Sequence, residues 1–238
     1  MNIVKPYARI MDFSYAGDAR TALLLDQDWG ISLLRKVEWI GRISHRSEDA
    51  QTSDSWRRFI QAVVIEHGDW SITEHASVTV DFLVDRGITH ELVRHRLMSF
   101  TQESTRFVNY EKKMPPSFIA PPGVDNTVVS GWDVVAARPA WLESIAAAEM
   151  AYHRMLLAGI TPQIARSVFP NALASRIIVT ANLRSWRHFF IMRTTKESHP
   201  QMREVTIPLL AEFKEKIPLL YDDIESMSKQ SEAMRRAR

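Results

Sequence analysis

The chain has no cysteine. That absence excludes disulfides, thiolate zinc sites, cysteine-ligated iron–sulfur clusters and thiol nucleophiles together, and it fits a cytoplasmic compartment. Long apolar runs are missing too: nothing approaches the ~18–20 residues a membrane-spanning helix needs. The opening Met1-Asn2-Ile3-Val4-Lys5-Pro6 has no apolar centre of the kind a secretory leader carries. Glycine is scarce, with 8 in 238 residues, and neither G-x-G-x-x-G nor G-x-x-x-x-G-K-[ST] occurs. A Rossmann fingerprint and a P-loop are therefore both unsupported. Charge of one sign is lacking as well, the formal net charge being only +2. Bulk electrostatic binding to nucleic acid needs a concentrated basic field, which this balance does not supply, although local basic pockets remain open.

What is present is an ordinary globular composition, 45% hydrophobic and 24% charged, in a length that suits one domain. Trp29 to Ile40 reads as a short helix and Ser44 to Ser53 as a polar loop. From Ser55, the apolar residues Trp56, Phe59, Ile60, Val63 and Val64 recur at helical steps, and Gly68 is placed to end that helix. Ser77 to Phe82 alternates polar and apolar, the period of a half-buried strand. Gly87 breaks it, and Thr89 is positioned to cap a helix carrying Leu92, Val93 and the basic cluster Arg94-His95-Arg96.

Pro115, Pro116, Pro121 and Pro122 mark residues 113–130 as a loop, in the role of lid or connection. Trp141 to Leu157 is helical and stops at Gly159. Thr161-Pro162 starts another helix, which Pro170 ends. Arg176 to Thr180 is a β-branched strand, and Asn182 caps a helix through Arg193. A last helix over Gln201 to Lys216 is interrupted near Pro208, and 227–238 forms a polar tail prone to fray. Short strands mixed with helices give a single α+β domain over 1–238.

Three constellations carry chemistry. Arg94 to Arg106 packs three arginines, a histidine, two serines and a glutamate into thirteen residues. Guanidinium forks, hydroxyls and backbone N–H groups are the parts of a phosphate cradle. The bland alternative is a solvated basic helix end favoured by the helix dipole. The second constellation is Arg166 with Asn182, Arg184, His188 and Arg193. Arg184 and His188 share a helix face beside an entrance whose N–H groups suit an anion or a ring carbonyl. Its bland alternative is an amphipathic helix with Trp186, Phe189 and Phe190 in the core. The third, His67 to His75, places Ser71 and Glu74 at capping-box spacing and reads by itself as a turn.

No metal site is expected. His90-Glu91-Leu92-Val93-Arg94-His95 superficially resembles a zinc-protease helix, but that motif needs histidines four apart; five apart they diverge by ~140° around the helix. Glu66-His67 and Glu74-His75 find no third ligand at a usual spacing.

Arg94-His95-Arg96 followed after seven residues by Ser104, extended by Gln102-Glu103-Ser104-Thr105-Arg106-Phe107, resembles the signature of flavin-dependent thymidylate synthases. Arg166, Asn182, Arg184, His188 and Arg193 match that family separately, and Gly68 to His75 resembles the segment before its first long strand. The resemblance covers roughly residues 40–220. It implies an antiparallel sheet flanked by helices in a homotetramer whose active sites are shared between subunits. By resemblance, Ser71, Arg94, His95, Arg96, Gln102, Asn182, Arg184 and His188 contact a tightly bound FAD, with Ser44 and Glu74 nearby. Glu91, Arg94, Gln102, Glu103, Ser104, Thr105, Arg106, Arg166 and Arg193 resemble the dUMP site. By the same resemblance Arg193 looks like the catalytic residue, set against the uracil ring to favour its N3-deprotonated form. NADPH and methylenetetrahydrofolate are the implied co-substrates.

Carbon 5 of uracil is a weak nucleophile, and a chain without cysteine cannot activate it by thiol addition. Ser104 would need a positioned base to act as nucleophile. His95, nine residues away, shows no triad-like spacing, so Ser104 reads as a binding residue and a cofactor carries the hard step. Glu91, His188 and Ser198-His199-Pro200-Gln201 depart from residues common in the family. A relative methylating UMP or dCMP would keep the flavin pocket and change the ring and sugar contacts. The alternative outside enzymes is a nucleic-acid-binding module built on the same arginines.

Overall fold

In the computed structural model, residues 1–14, 28–110, 115–130 and 133–225 are described. The elements in order are β1 (Asn2–Ile3), β2 (Tyr7–Phe13), α1 (Trp29–Ile43), α2 (Ser55–Phe59), β3 (Ser77–Asp85), α3 (Arg86–Leu92), β4 (Ser99–Gln102), β5 (Ser117–Phe118), β6 (Thr127–Ser130), β7 (Asp133–Ala136), α4 (Ala137–Leu157), α5 (Pro162–Ala165), β8 (Ala174–Asn182), α6 (Leu183–Arg193) and α7 (Pro200–Lys216). The α+β class holds. The main sheet has the order β2-β3-β8-β4. Contacts show β3 and β8 running in opposite directions: Thr79 faces Thr180 at 2.9 Å, whereas Asp81 meets Arg176. Two small ladders stand apart, a parallel β1–β5 pair and an antiparallel β6–β7 pair. The antiparallel sheet with helices matches the expectation, and the parallel pair is a separate two-stranded addition to it.

The chain divides into two compact units. The first takes Met1–Tyr7, Asp81–Arg94 and Phe100–Ile178; the second takes Ala8–Val80, His95–Ser99 and the chain from Val179. The first unit's core is aromatic. Tyr110, Phe118, Ile145, Tyr152 and Leu173 are buried together, with Phe169 stacked on Tyr152 at 4.6 Å between ring centroids. In the second unit, α6 buries Trp186, Phe189 and Phe190 against Phe213 of α7 and Tyr221.

Local chemistry explains the departures from the sequence expectations. Gly87 does not break the chain: β3 continues to Asp85, whose carboxylate accepts from Ile88 N at 2.8 Å and caps α3 in place of Thr89. Gly87 falls in the first helical turn, where N–H groups have no intrahelical partner to lose. A side chain there would press to 3.2 Å from the capping oxygen. Thr89 lies inside the helix and donates to Arg86 O at 2.9 Å. α3 closes at Leu92, so Arg94-His95-Arg96 lies in the turn before β4 and not on a helix.

The helical period from Ser55 is right, but past Phe59 the helix widens to i→i+5 bonding over Ile60–Glu66, as in His67 N to Ala62 O at 3.0 Å. The 44–53 loop holds one 3₁₀ turn, Glu48–Ala50. The Ser71–Glu74 capping box does not form: Trp70–His75 is a 3₁₀ helix with no side-chain cap, and Glu74 pairs with Arg184. The 113–130 loop contains β5 and β6. α7 runs through Pro208 without a break. The tail at 227–238 lies outside the described residues.

Candidate active site

The expected site residues sort between the two units. Glu91, Arg94, Gln102, Glu103, Ser104, Thr105, Arg106 and Arg166 lie in the first; Ser71, His95, Arg96, Asn182, Arg184, His188 and Arg193 lie in the second. Arg193 is the one residue of the expected nucleotide set that falls in the second unit.

In the first unit a cavity of about 520 Å³ is bounded by Arg86, His90, Thr105, Gln163, Arg166, Ser167 and Asn171, with Ile164, Phe169, Pro170 and Leu173 as its apolar walls. Among the described residues, no carboxylate lines it. Arg166 follows α5 in a single 3₁₀ turn, and its Nη1 donates to Oγ1 of the buried Thr105 at 2.8 Å. Arg86 N donates to Asn171 O at 2.9 Å and Leu173 O at 3.0 Å, tying the start of α3 to the cavity wall.

Beside the cavity lining, Gln102 commits its amide nitrogen to Thr89 Oγ1 (2.9 Å) and Ser175 Oγ (3.1 Å). Any ligand bond it makes would therefore use its carbonyl oxygen. Glu103 receives Tyr110 OH at 3.3 Å, and burial with this carboxylate pushes the Tyr110 phenol well up. Ser104 Oγ accepts from Arg106 N at 3.3 Å, stabilising its own turn. Arg106 is exposed, its guanidinium 5.4 Å from the centroid of the Phe107 ring. Arg86, His90, Gln163 and Asn171 were not singled out for this site by the sequence. Arg86 and His90 are four apart on α3 and share a face, but a helix expected to start only after Thr89 left Arg86 outside it.

The second unit gathers its polar groups around α6. Asn182 caps it as expected, Oδ1 accepting from Ser185 N at 2.8 Å. Trp186 Nε1 donates to Val78 O at 3.0 Å, which fixes the helix on β3. At the far end, Arg193 Nε donates to His95 Nε2 at 2.9 Å. The His95 ring meets Phe189 edge-on at 5.0 Å, with His188 at 6.2 Å. Burial, then the Arg193 charge, then His188, lower the His95 pKa to about 4. Its imidazole is therefore neutral near pH 7, as an acceptor must be.

Arg184 and Glu74 pair at 2.6 Å, both about half exposed. Such a pair is worth at most ~1 kcal/mol, so an anionic ligand can displace it. Arg94 and Arg96 are exposed, and among the described residues neither guanidinium meets a side-chain partner. Ser71 is exposed on the 3₁₀ turn. Arginines, a helix entrance and a neutral imidazole with one carboxylate nearby suit a diphosphate-bearing, ring-containing group.

An α+β fold with donor-rich, acid-poor sites in both units fits anionic ligands. The family model described as thymidylate synthase complementing protein matches residues 32–219. A flavin-dependent thymidylate synthase of Mycobacteroides abscessus is 34% identical over 213 residues, 84% of this chain and 82% of that protein. One of Corynebacterium diphtheriae is 32% identical over 211 residues, 80% of this chain and 78% of that protein. The crystal structure of a UMP/dUMP methylase, PolB from Streptomyces cacaoi, bound with 5-Br dUMP, superposes with a TM-score of 0.70 at 22% identity, covering 93% of this chain and 96% of that one. The chain belongs to the thymidylate synthase complementing protein family, the flavin-dependent thymidylate synthases.

No helix among the described residues is long and apolar enough to cross a membrane.

Proposed function

We propose that this protein is a cytoplasmic, homotetrameric enzyme that converts dUMP to dTMP, with methylenetetrahydrofolate as carbon donor and FAD reduced by NADPH. The observation that carries the nucleotide half is the first unit's cavity, where Arg86, Arg166, His90 and hydroxyls converge without a carboxylate. Such a lining suits a phosphate monoester, each charge-assisted contact contributing ~1.5–3 kcal/mol. Family membership carries the flavin half, and the donor set of the second unit supports it.

Each side chain then has a task. Arg94, Arg96 and Arg184 hold the diphosphate of FAD, and Ser71, Asn182, His188, His95 and Gln102 complete its contacts. Arg166 and Arg106 hold the nucleotide phosphate with Ser104 and Thr105, while Glu91 and Glu103 address sugar and ring. Bound FAD supplies the hydride that the chain's own residues cannot. Arg193 stabilises negative charge on the uracil ring when N3 gives up its proton, raising electron density at carbon 5. That is electrostatic stabilisation by a fixed cation. No cysteine is needed, and the chain has none.

Release of tritium from carbon 5 of labelled dUMP, UMP and dCMP tests the proposal, with NADPH and methylenetetrahydrofolate present. Release from dUMP is expected. Release from UMP or dCMP with dUMP silent would move the substrate to that nucleotide, and release from none would sink the enzyme reading.

A further inference from the structure

Arg193 is the last residue of α6, where the helix no longer constrains a long side chain. An arginine there has many rotamers to choose from, and a cation meant to face a developing negative charge has to be held before that charge appears. One bond in the second unit answers this requirement. Arg193 Nε donates to His95 Nε2 at 2.9 Å, and the ring that accepts it is wedged against the buried Phe189 one turn back on the same helix.

We propose that His95 is a positioning residue for Arg193: its Nε2 fixes the guanidinium, and this bond, more than any contact of His95 with the cofactor, is why the turn after α3 carries a histidine between two arginines. The inference rests on the proposed function, in which Arg193 faces the pyrimidine. It has a definite chemical consequence. An imidazole nitrogen that accepts from Arg193 carries no proton, so the proton of the neutral ring sits on Nδ1. Partial burial of the ring, the Arg193 charge and His188 on α6 all disfavour a second proton.

The test combines kinetics with a measurement on the unaltered protein. His95→Phe keeps the ring but loses the acceptor; His95→Gln keeps an acceptor. For the FAD-loaded protein, His95→Phe is expected to lower kcat per bound flavin about 10- to 100-fold, the range of a lost charge-assisted bond. His95→Gln should recover most of that loss. In an Arg193→Ala background His95→Phe should cost nothing further, because coupled residues are not additive. An equal penalty with and without Arg193, or loss of FAD as the sole defect, would overturn the inference.

Should the variants not fold, long-range ¹H–¹⁵N NMR of the wild-type imidazoles near pH 7.5 decides. The half-buried histidine coupled to Arg193 is expected as the Nδ1–H form, and a ring protonated at Nε2 contradicts the bond. A wild type that binds no flavin and releases no tritium marks failure of the enzyme reading. The NMR tautomer still reports the bond in that case, so the two failures remain distinct.

Discussion

Arg166 is where a single side chain has most to lose. It reaches the cavity held by the hydroxyl of Thr105. Arg166→Ala is expected to raise the Kd for dUMP about 10- to 100-fold, the equivalent of one charge-assisted contact, with FAD binding intact; equilibrium dialysis with dUMP checks the first and flavin absorbance of the protein the second. Arg106→Ala should show a similar loss, because this exposed guanidinium, resting on Phe107, is proposed to hold the same phosphate. His95 brings a pH dependence whose sign follows from its lowered pKa. The folded ring holds its proton only below about 4, whereas the unfolded ring takes one up near 6.5. The unfolded state therefore binds more protons between those values, and stability falls as pH drops through that window. Urea unfolding at pH 7.5 and pH 5 should show a smaller pH penalty for His95→Gln than for wild type, and identical penalties would contradict the burial of a neutral ring.

At this scale the Arg94 to Arg106 motif was legible because its members are close in the chain and need no long-range knowledge. The cavity residues Arg86, His90, Gln163 and Asn171 were not, because what unites them is the approach of 163–173 to the start of α3, a tertiary event.

At the scale of elements, caps and close approaches decide. Asn182 was legible as a cap, since capping depends on a side chain and an N–H three residues on; Asn182→Ala should cost ~1 kcal/mol, seen as a lowered urea midpoint. Asp85 performs the same role for α3 but was masked by Gly87, which reads as a breaker when its place in the first turn is unknown. Gly30 shows the other kind of constraint. A Cβ there would lie 1.6 Å from the backbone oxygen of Lys216, so the start of α1 can approach the end of α7 only without a side chain. Gly30→Ala is expected to destabilise by ~1–3 kcal/mol through overpacking, and an unchanged melting temperature would argue against that contact. Helical periods placed α1, α4, α6 and α7 to within a few residues. The widened turns after Phe59 were invisible to a period reading, because the buried pair Ile60 and Val64 is four apart, a step that both windings keep near one face.

For the whole molecule, strand existence was readable but strand partnership was not. The order β2-β3-β8-β4 joins segments separated by up to a hundred residues, and alternation says which face is buried without naming the neighbour. The shared-subunit arrangement proposed here gives exposed apolar side chains a purpose: Leu97 and Phe107 are 84% and 77% exposed beside the arginine motif. Replacing both with glutamate is expected to leave the chain folded but to dissociate it, with FAD lost in parallel, as read by analytical ultracentrifugation at flavin and protein wavelengths. Assembly unaffected by both charges would remove these side chains from any subunit contact.

Flavin dependence itself is tested most directly by the visible absorption spectrum of the purified protein after incubation with FAD and removal of the excess. Retained flavin bands that bleach on anaerobic addition of NADPH are the expected result. A colourless protein that cannot be reconstituted contradicts it.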